Sequence, residues 1–476
     1  MNSIKIFFAL FLTLLIGSRH NDEAQTESNH AAEIVIRING LSDVWIYLNG
    51  VHQNVKSRID SAYVNTEGKA NFRRQVGYEP GEYTVILPDS SFFQLLLDQD
   101  QSFSLETEFP DLTAQMQVEG SLENELLYKS IKFSMDQEKR FHNEIQRLQE
   151  ENSLQPEDDQ TQQLRQQYFA EQTDFLGNIF NQYPNALFTK YQAAQQQPAV
   201  LRSILSNPTI DNAERQYLML DHFWDNVDFS DERLLHTPVV FTKLLEYLYN
   251  YVPDQTRVKI QAIDLLMHKV LPFPKYYRFF AEWIAQEYQP PQDPYLDSEA
   301  IYVHMVDHYL TYERAFWADS VQVYAWQFRT EDKINSLIGK KGTDIKAKDP
   351  QGRIRALYDV RAPYVALFFY HAECDHCIEA TPKLMQLYHE YKNKGLEVYA
   401  IAMDTPDKEW KKFITEQGVQ WINVTDQDNP EIRSNYYIPG TPYIYLLNPN
   451  RTIIGKDVPI EAIPLLMEQD RRVASQ

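Results

Sequence analysis

Only two cysteines, Cys374 and Cys377, stand in the 476 residues. A purely structural role for the pair is hard to sustain. A stapling disulfide across two intervening residues would close a loop too short to stabilise much. A zinc site would need two further ligands, and the nearest histidines are His376, between the cysteines, and His371, just upstream. Positive charge is scarce as well: 45 Lys and Arg face 67 Asp and Glu, a net charge of −22. That argues against nucleic acid or an anionic membrane surface as a partner. Near the N-terminus, Ile6 to Ile16 forms an apolar run too short to span a bilayer comfortably. The chain is otherwise 43% hydrophobic and 24% charged, ordinary for a soluble globular protein. Aromatic residues are plentiful, at 13% with 30 Tyr, so large buried or half-exposed ring surfaces are expected.

Residues 1–18, MNSIKIFFALFLTLLIGS, read as a signal peptide. Lys5 supplies the positive start, Ile6 to Ile16 the apolar core, and Gly17-Ser18 the small residues that follow. No cysteine comes next, so a lipid-modified cysteine is not expected; an uncleaved anchor is the competing reading. Residues 19–30 are polar and read as a flexible lead-in. An exported chain with a single C-x-x-C pair fits the periplasm or cell envelope, where disulfides persist. No stable membrane insertion is expected once the signal is cleaved.

The remainder divides by periodicity into three parts. Residues 31–120 alternate, with Ile34, Ile36 and Ile38 on one face and turn signals at Asn39-Gly40, Asn49-Gly50, Glu67-Gly68 and Pro80-Gly81. An all-β, sandwich-like module is expected. Residues 121–325 switch to helical spacing and are punctuated by prolines such as Pro184, Pro198, Pro238 and Pro253. An all-α module is expected, with helices at Val239–Tyr251, Ser298–His308 and Arg314–Ala325 among others. Ser230, before Asp231-Glu232, reads as a helix N-cap. His304 and His308 share a helix face, but the glutamate of a metalloprotease motif is missing and no third ligand is obvious. Two half-exposed helix histidines are the favoured reading. Residues 330–476 alternate strands with helices, the pattern of an α/β sheet covered on both faces.

The chemistry concentrates in residues 363–384, PYVALFFYHAECDHCIEATPKL. Tyr364 to Tyr370 has the length and aromatic content of a buried strand. Cys374-Asp375-His376-Cys377 follows, then a helical stretch that Gly395 ends. Two intervening residues put both sulfurs on the first helical turn. Unpaired N–H groups and the positive dipole end there favour a thiolate on Cys374 and lower its pKa. Strand, C-x-x-C, helix is the arrangement of a thiol–disulfide active site. Further on, Gly440-Thr441-Pro442 opens the strand Tyr443 to Leu447. A proline there is a candidate for a cis bond. Its loop can lie against the C-x-x-C helix, with the Thr441 backbone offered to an extended substrate chain.

On these residues, with Pro382-Lys383-Leu384 and a helix at Asp407 to Gln417, the last 135 or so residues resemble the TlpA/ResA-like thioredoxin family of envelope thiol–disulfide oxidoreductases. The first 325 are similar to β and helical modules often fused to such domains, a likeness that implies no activity. The family resemblance implies that Cys374 attacks, Cys377 resolves and Pro442 is the cis-proline beside substrate-binding Thr441. It implies protein thiol or disulfide substrates, an envelope redox partner, and no metal, nucleotide or flavin. There are departures. The buried aspartate of thioredoxins falls on Phe368. The glutamate that many members carry three residues after the second cysteine falls on Ala380, with Glu379 one place earlier. The usual Trp before the first cysteine is Glu373, whose charge should raise the Cys374 pKa, whereas His376 should stabilise the thiolate.

Two other functions compete. A thiol peroxidase of similar fold wants a Thr three residues before the attacking cysteine, and His371 stands there. An envelope binding or scaffold protein would work through residues 31–325, with the redox pair auxiliary.

Overall fold

Alternating burial organises the N-terminal part of the computed structural model, which describes residues 31–152, 159–289, 297–331 and 333–474. The signal peptide expected at residues 1–18 lies outside the described residues. In β1 (Ala32–Asn39), Ile34, Ile36 and Ile38 are fully buried while Glu33, Arg37 and Asn39 are exposed and Val35 is half-buried. The other strands are β2 (Val44–His52), β3 (Val55–Val64), β4 (Lys69–Arg74), β5 (Gly81–Ile86), β6 (Phe92–Leu97), β7 (Ser102–Glu108) and β8 (Gln117–Glu119). They form two four-stranded sheets, β4-β1-β7-β8 and β3-β2-β5-β6. β1 runs antiparallel to β4, with Ile34 opposite Phe72, and parallel to β7, with Ile36 opposite Leu105. The turn into β4 needs Gly68: its φ is +75°, and a Cβ there would lie 2.7 Å from the Ile38 carbonyl oxygen.

Helix Leu122–Asn152 is tied to this β module by polar contacts that its periodicity does not advertise. The Asn124 amide donates to the Leu96 carbonyl at 2.8 Å and accepts from the Leu96 N–H at 2.9 Å. It pairs with helix Asp159–Gln182 through Phe133 and Phe175, stacked at 4.0 Å. The Glu123 carboxylate accepts the N–H groups of Leu187 and Phe188, at the start of helix Leu187–Gln195. An anion is favoured at such a terminus.

The chain forms two compact units, one running up to Lys190 and taking in His236–Pro238, the other holding Tyr191–Leu235 and everything from Val239 on. Within the second unit, helices Thr256–Val270, Pro274–Glu287 and Ser298–His308 pack around aromatic rings. Trp224, 1% exposed, contacts Phe229, Tyr247 and Phe280 at 5.5–5.9 Å between centroids. Three local expectations are corrected. The helix expected at Arg314–Ala325 runs Ser320–Glu331, because the Asp319 carboxylate accepts the Gln322 N–H at 2.8 Å and starts it there. The helix over Val239–Tyr251 changes to π-type winding at Glu246–Tyr251. Asp231, not Ser230, caps the short 3₁₀ turn Glu232–His236, accepting the Arg233 N–H at 3.1 Å; Ser230 is held by Asp228.

The C-terminal sheet contains β9 (Lys346–Lys348), β10 (Ile354–Ala356), β11 (Tyr364–Tyr370), β12 (Leu396–Ala402), β13 (Ile422–Thr425), β14 (Tyr443–Leu447) and β15 (Ile453–Lys456). Their order is β10-β9-β13-β12-β11-β14-β15. β11 lies parallel to β12 and antiparallel to β14, so Leu367 faces Tyr399 on one side and Tyr445 on the other. All seven β11 residues are buried, which is why its sequence is a continuous apolar run. Phe368 and Tyr370 point into one core with Cys377 and Leu384; Leu367 and Phe369 point into the other with Tyr436 and Tyr445. The architecture is therefore an N-terminal pair of β-sheets, a central helical region and a C-terminal α/β fold. No helix among the described residues is long and apolar enough to cross a membrane.

Candidate active site

β11 ends at Tyr370, and a short loop carries the chain to helix Asp375–Tyr391. Cys374 is the N-cap of that helix, with extended backbone at φ −81° and ψ 118°. An N-cap residue faces the free N–H groups of the first turn. Cys377, one turn in, is fully buried; Cys374 is half-buried, and both thiols are free. The loop is braced. The Ala372 N–H donates to the Thr405 hydroxyl at 3.3 Å, and the Glu373 N–H to His371 Nδ1 at 3.2 Å. Inside the helix, Pro382 removes one backbone donor, and the Thr381 hydroxyl donates to the Cys377 carbonyl at 2.7 Å.

The two sulfurs sit in opposite environments. Burial pushes the Cys374 thiol up, but hydrogen bonds from the Cys377 side chain and backbone N–H, from Thr441 and from the His376 N–H bring it below the ordinary thiol value. Burial pushes the Cys377 thiol up, and its bond to the Cys374 sulfur raises it further against a lowering contact with the His371 backbone. Cys374 is thus set to ionise first and Cys377 to hold its proton.

Across from Cys374 stands Thr441. The Cys374 thiol donates to the Thr441 carbonyl oxygen at 3.4 Å, and the Thr441–Pro442 peptide is cis. The fold therefore brings Cys374, Cys377, Thr441 and Pro442 together. His376 enters through its backbone N–H, and its side chain is exposed. Glu373 and Glu379 are also exposed, and no hydrogen bond of either carboxylate to a cysteine occurs among the described residues. Among the described residues, His304 and His308 belong to no group of three or more His, Cys, Asp or Glu that could hold a metal ion. His304 instead bonds Asp264 at 2.6 Å, and its ring stacks on His308 with centroids 4.2 Å apart.

Sequence reasoning missed what lies behind Cys377. Phe368 is fully buried and stacks on Tyr370, so no carboxylate stands there. A polar group buried in that core is the Tyr370 hydroxyl, which donates to Asn423 Oδ1 at 3.1 Å and accepts from Trp410 Nε1 at 3.0 Å. The signal was a tyrosine in a buried strand, whose hydroxyl needs partners.

Residues 338–457 match the AhpC/TSA family. Thiol-disulfide oxidoreductase ResA of Bacillus anthracis is 27% identical over 123 residues, covering 26% of this chain and 70% of that protein. ResA of Oceanobacillus iheyensis is 33% identical over 97 residues, 20% of this chain and 50% of that one. Among solved structures, a domain of a possible thiol-disulfide isomerase from Cytophaga hutchinsonii is 36% identical, covers 29% of this chain and 97% of that one, and superposes with a TM-score of 0.28. Together with the C-x-x-C helix and the Thr441–Pro442 loop, the family match and the ResA likenesses support a TlpA/ResA-like, thioredoxin-fold thiol–disulfide oxidoreductase domain at the C-terminal end of the chain.

Proposed function

We propose that this is an exported oxidoreductase that exchanges disulfides with protein substrates through Cys374 and Cys377. One observation carries the reading: a half-buried thiol stands at a helix N-cap beside a second, buried thiol, and their surroundings lower the pKa of the first and raise that of the second. In the reducing direction, the Cys374 thiolate attacks one sulfur of a substrate disulfide. That S–S bond breaks, one substrate thiolate leaves, and a mixed disulfide forms. Cys377 then gives up its proton, and its thiolate attacks the Cys374 sulfur. The second substrate thiolate leaves, and two electrons have passed from the protein to the substrate. Run backwards, the same steps oxidise a dithiol. Thr441 and Pro442 receive the extended substrate chain beside Cys374. His376, Glu373 and Glu379 tune the thiols. Export to the periplasm or envelope rests on residues 1–18, and a redox partner there returns Cys374 and Cys377 to their starting state.

Trapping tests the role assignment. A Cys377→Ser variant should accumulate a mixed disulfide with its substrate, visible by non-reducing electrophoresis and mass spectrometry. Equal trapping by Cys374→Ser would sink the assignment.

A further inference from the structure

The loop that carries Thr441 is gripped from outside the α/β sheet. Tyr437, four residues before Thr441, is held at three points. Its N–H donates to the Ser336 hydroxyl at 3.2 Å, and its carbonyl accepts from the Tyr445 hydroxyl at 2.6 Å. Its ring lies under a cation: Lys333 Nζ is 3.3 Å from the ring centroid, and Lys456 Nζ is 5.4 Å from it.

Two ammonium groups against one ring repel each other unless an anion stands between them. Glu299 is that anion. It sits in the first turn of helix Ser298–His308, more than a hundred residues before the loop. Its Oε1 accepts from Lys333 at 2.7 Å, and its Oε2 accepts from Lys456. The three side chains are only 11%, 11% and 8% exposed. At that depth the pairing is barely screened by water, and removing the carboxylate would leave two lysines buried and facing each other. Lys456 also ends β15, whose Lys456 lies opposite Tyr445 on β14, the strand that Pro442 leads into.

We infer that Glu299 is a positioning residue for disulfide exchange, acting through Lys333, Lys456 and Tyr437 to fix the Thr441 backbone that receives the substrate chain. The inference deepens the exchange reading above and rests on it. Glu299 touches neither cysteine among the described contacts, so its loss acts on substrate docking and leaves sulfur chemistry alone. Backbone hydrogen bonds from a loop serve an extended polypeptide and not a small disulfide. Protein and small-molecule substrates therefore separate the two effects.

The test uses the full chain with Glu299→Gln, Tyr437→Leu, their double variant and the conservative Tyr437→Phe. Reduction of insulin is followed for kcat and KM, and 5,5′-dithiobis(2-nitrobenzoate) serves as the small disulfide. Glu299→Gln and Tyr437→Leu should each raise KM for insulin about fivefold or more with kcat little changed. The double variant should be no worse than the singles, because the residues act as one unit. Tyr437→Phe keeps the ring over the lysines and should restore the wild-type KM. Reaction with the small disulfide should stay within about twofold throughout. Hydrogen exchange gives a readout that needs no substrate: protection of the Tyr437 amide should drop about tenfold in Glu299→Gln. A wild-type KM in Glu299→Gln, an equal loss with the small disulfide, or unchanged Tyr437 protection would overturn the inference. If the wild-type chain fails to reduce insulin, the exchange reading fails, and the Tyr437 amide still reports whether Glu299 holds the loop.

Discussion

The Cys374 thiol and the Thr441 carbonyl oxygen lie 3.4 Å apart, although 67 residues separate them in sequence. The contact joins the end of one strand to the start of its antiparallel neighbour, since β11 pairs with β14 from Val365 opposite Leu447 to Phe369 opposite Tyr443. Sheet register therefore fixes which backbone group faces the exposed sulfur.

The split between the two thiols predicts a pH signature. Cys374 ionises below the ordinary thiol value of 9.0, and Cys377 above it. A depressed pKa in the folded, reduced protein means that the thiolate favours this form above the ordinary thiol pKa. That contribution fades as pH falls through the depressed value. The reduction potential should then fall by about 59 mV per pH unit below the Cys374 pKa and by about 30 mV above it, because one proton instead of two accompanies two electrons. Equilibration in thiol buffers from pH 5 to 9 measures it, and a slope of about 59 mV per pH unit that persists up to pH 9 would contradict the assignment. Iodoacetamide should label Cys374 alone over the same range.

Replacing Tyr370 by Phe should destabilise the second unit by about 1–3 kcal/mol, since Trp410 Nε1–H and Asn423 Oδ1 would each lose a buried partner. The ring packing against Phe368 and Phe413 is retained, so the loss reports the hydroxyl. Urea unfolding of wild type and variant gives the difference; an unchanged midpoint would mean that water replaces the hydroxyl.

Asp264 supplies a second pH effect. Burial pushes its carboxyl up, but hydrogen bonds from His304 and Tyr309 outweigh this and hold it below the ordinary value of 3.8. Its contribution is present above that value and lost as pH falls through the depressed one. Asp264→Asn should cost about 1 kcal/mol at neutral pH, a modest figure because the carboxylate is partly exposed, and the gap should close on acidification. Thermal unfolding of both proteins between pH 3 and 7 tests this.

Hydrogen peroxide should not be a substrate. Where a peroxidatic loop wants Thr, His371 uses Nδ1 to accept the Glu373 N–H and so braces the loop instead of presenting a hydroxyl. Peroxide consumption by the wild-type chain should be slow and show no saturation. Rapid, saturable turnover would reopen the peroxidase reading.

Much of the architecture was legible because it rests on local pattern. Alternation around Ile34, Ile36 and Ile38 announces a one-sided sheet, and the apolar run Tyr364–Tyr370 a strand buried on both faces. Helix Asp407–Gln417 is bounded as expected, since Gly418 takes the left-handed conformation at φ +61°. What escaped depends on partners far apart in sequence. Nothing near Tyr370 announces Asn423 or Trp410, and nothing near Glu299 announces Lys333 and Lys456. The misplaced helix start near Arg314 had a local cause: Asp319 outcompetes the earlier residues as a cap. At the candidate site, residue types in the C-x-x-C stretch were readable, whereas the exposure of Glu373, His376 and Glu379 required the fold.

The pairing of β1 carries a consequence for how the chain is made. β1 leaves the ribosome before either of its neighbours, β4 and β7, and the second of these ends only at Glu108. Until then β1 can pair only with β4, and the edge that meets β7 has no partner, so the first sheet cannot close while it is being synthesised residue by residue. Its formation waits on distant contacts, which are slow to find. For those seconds the nascent segment is a natural client for a holding chaperone, and a stalled or truncated product ending before β7 would expose a row of isoleucines to aggregation.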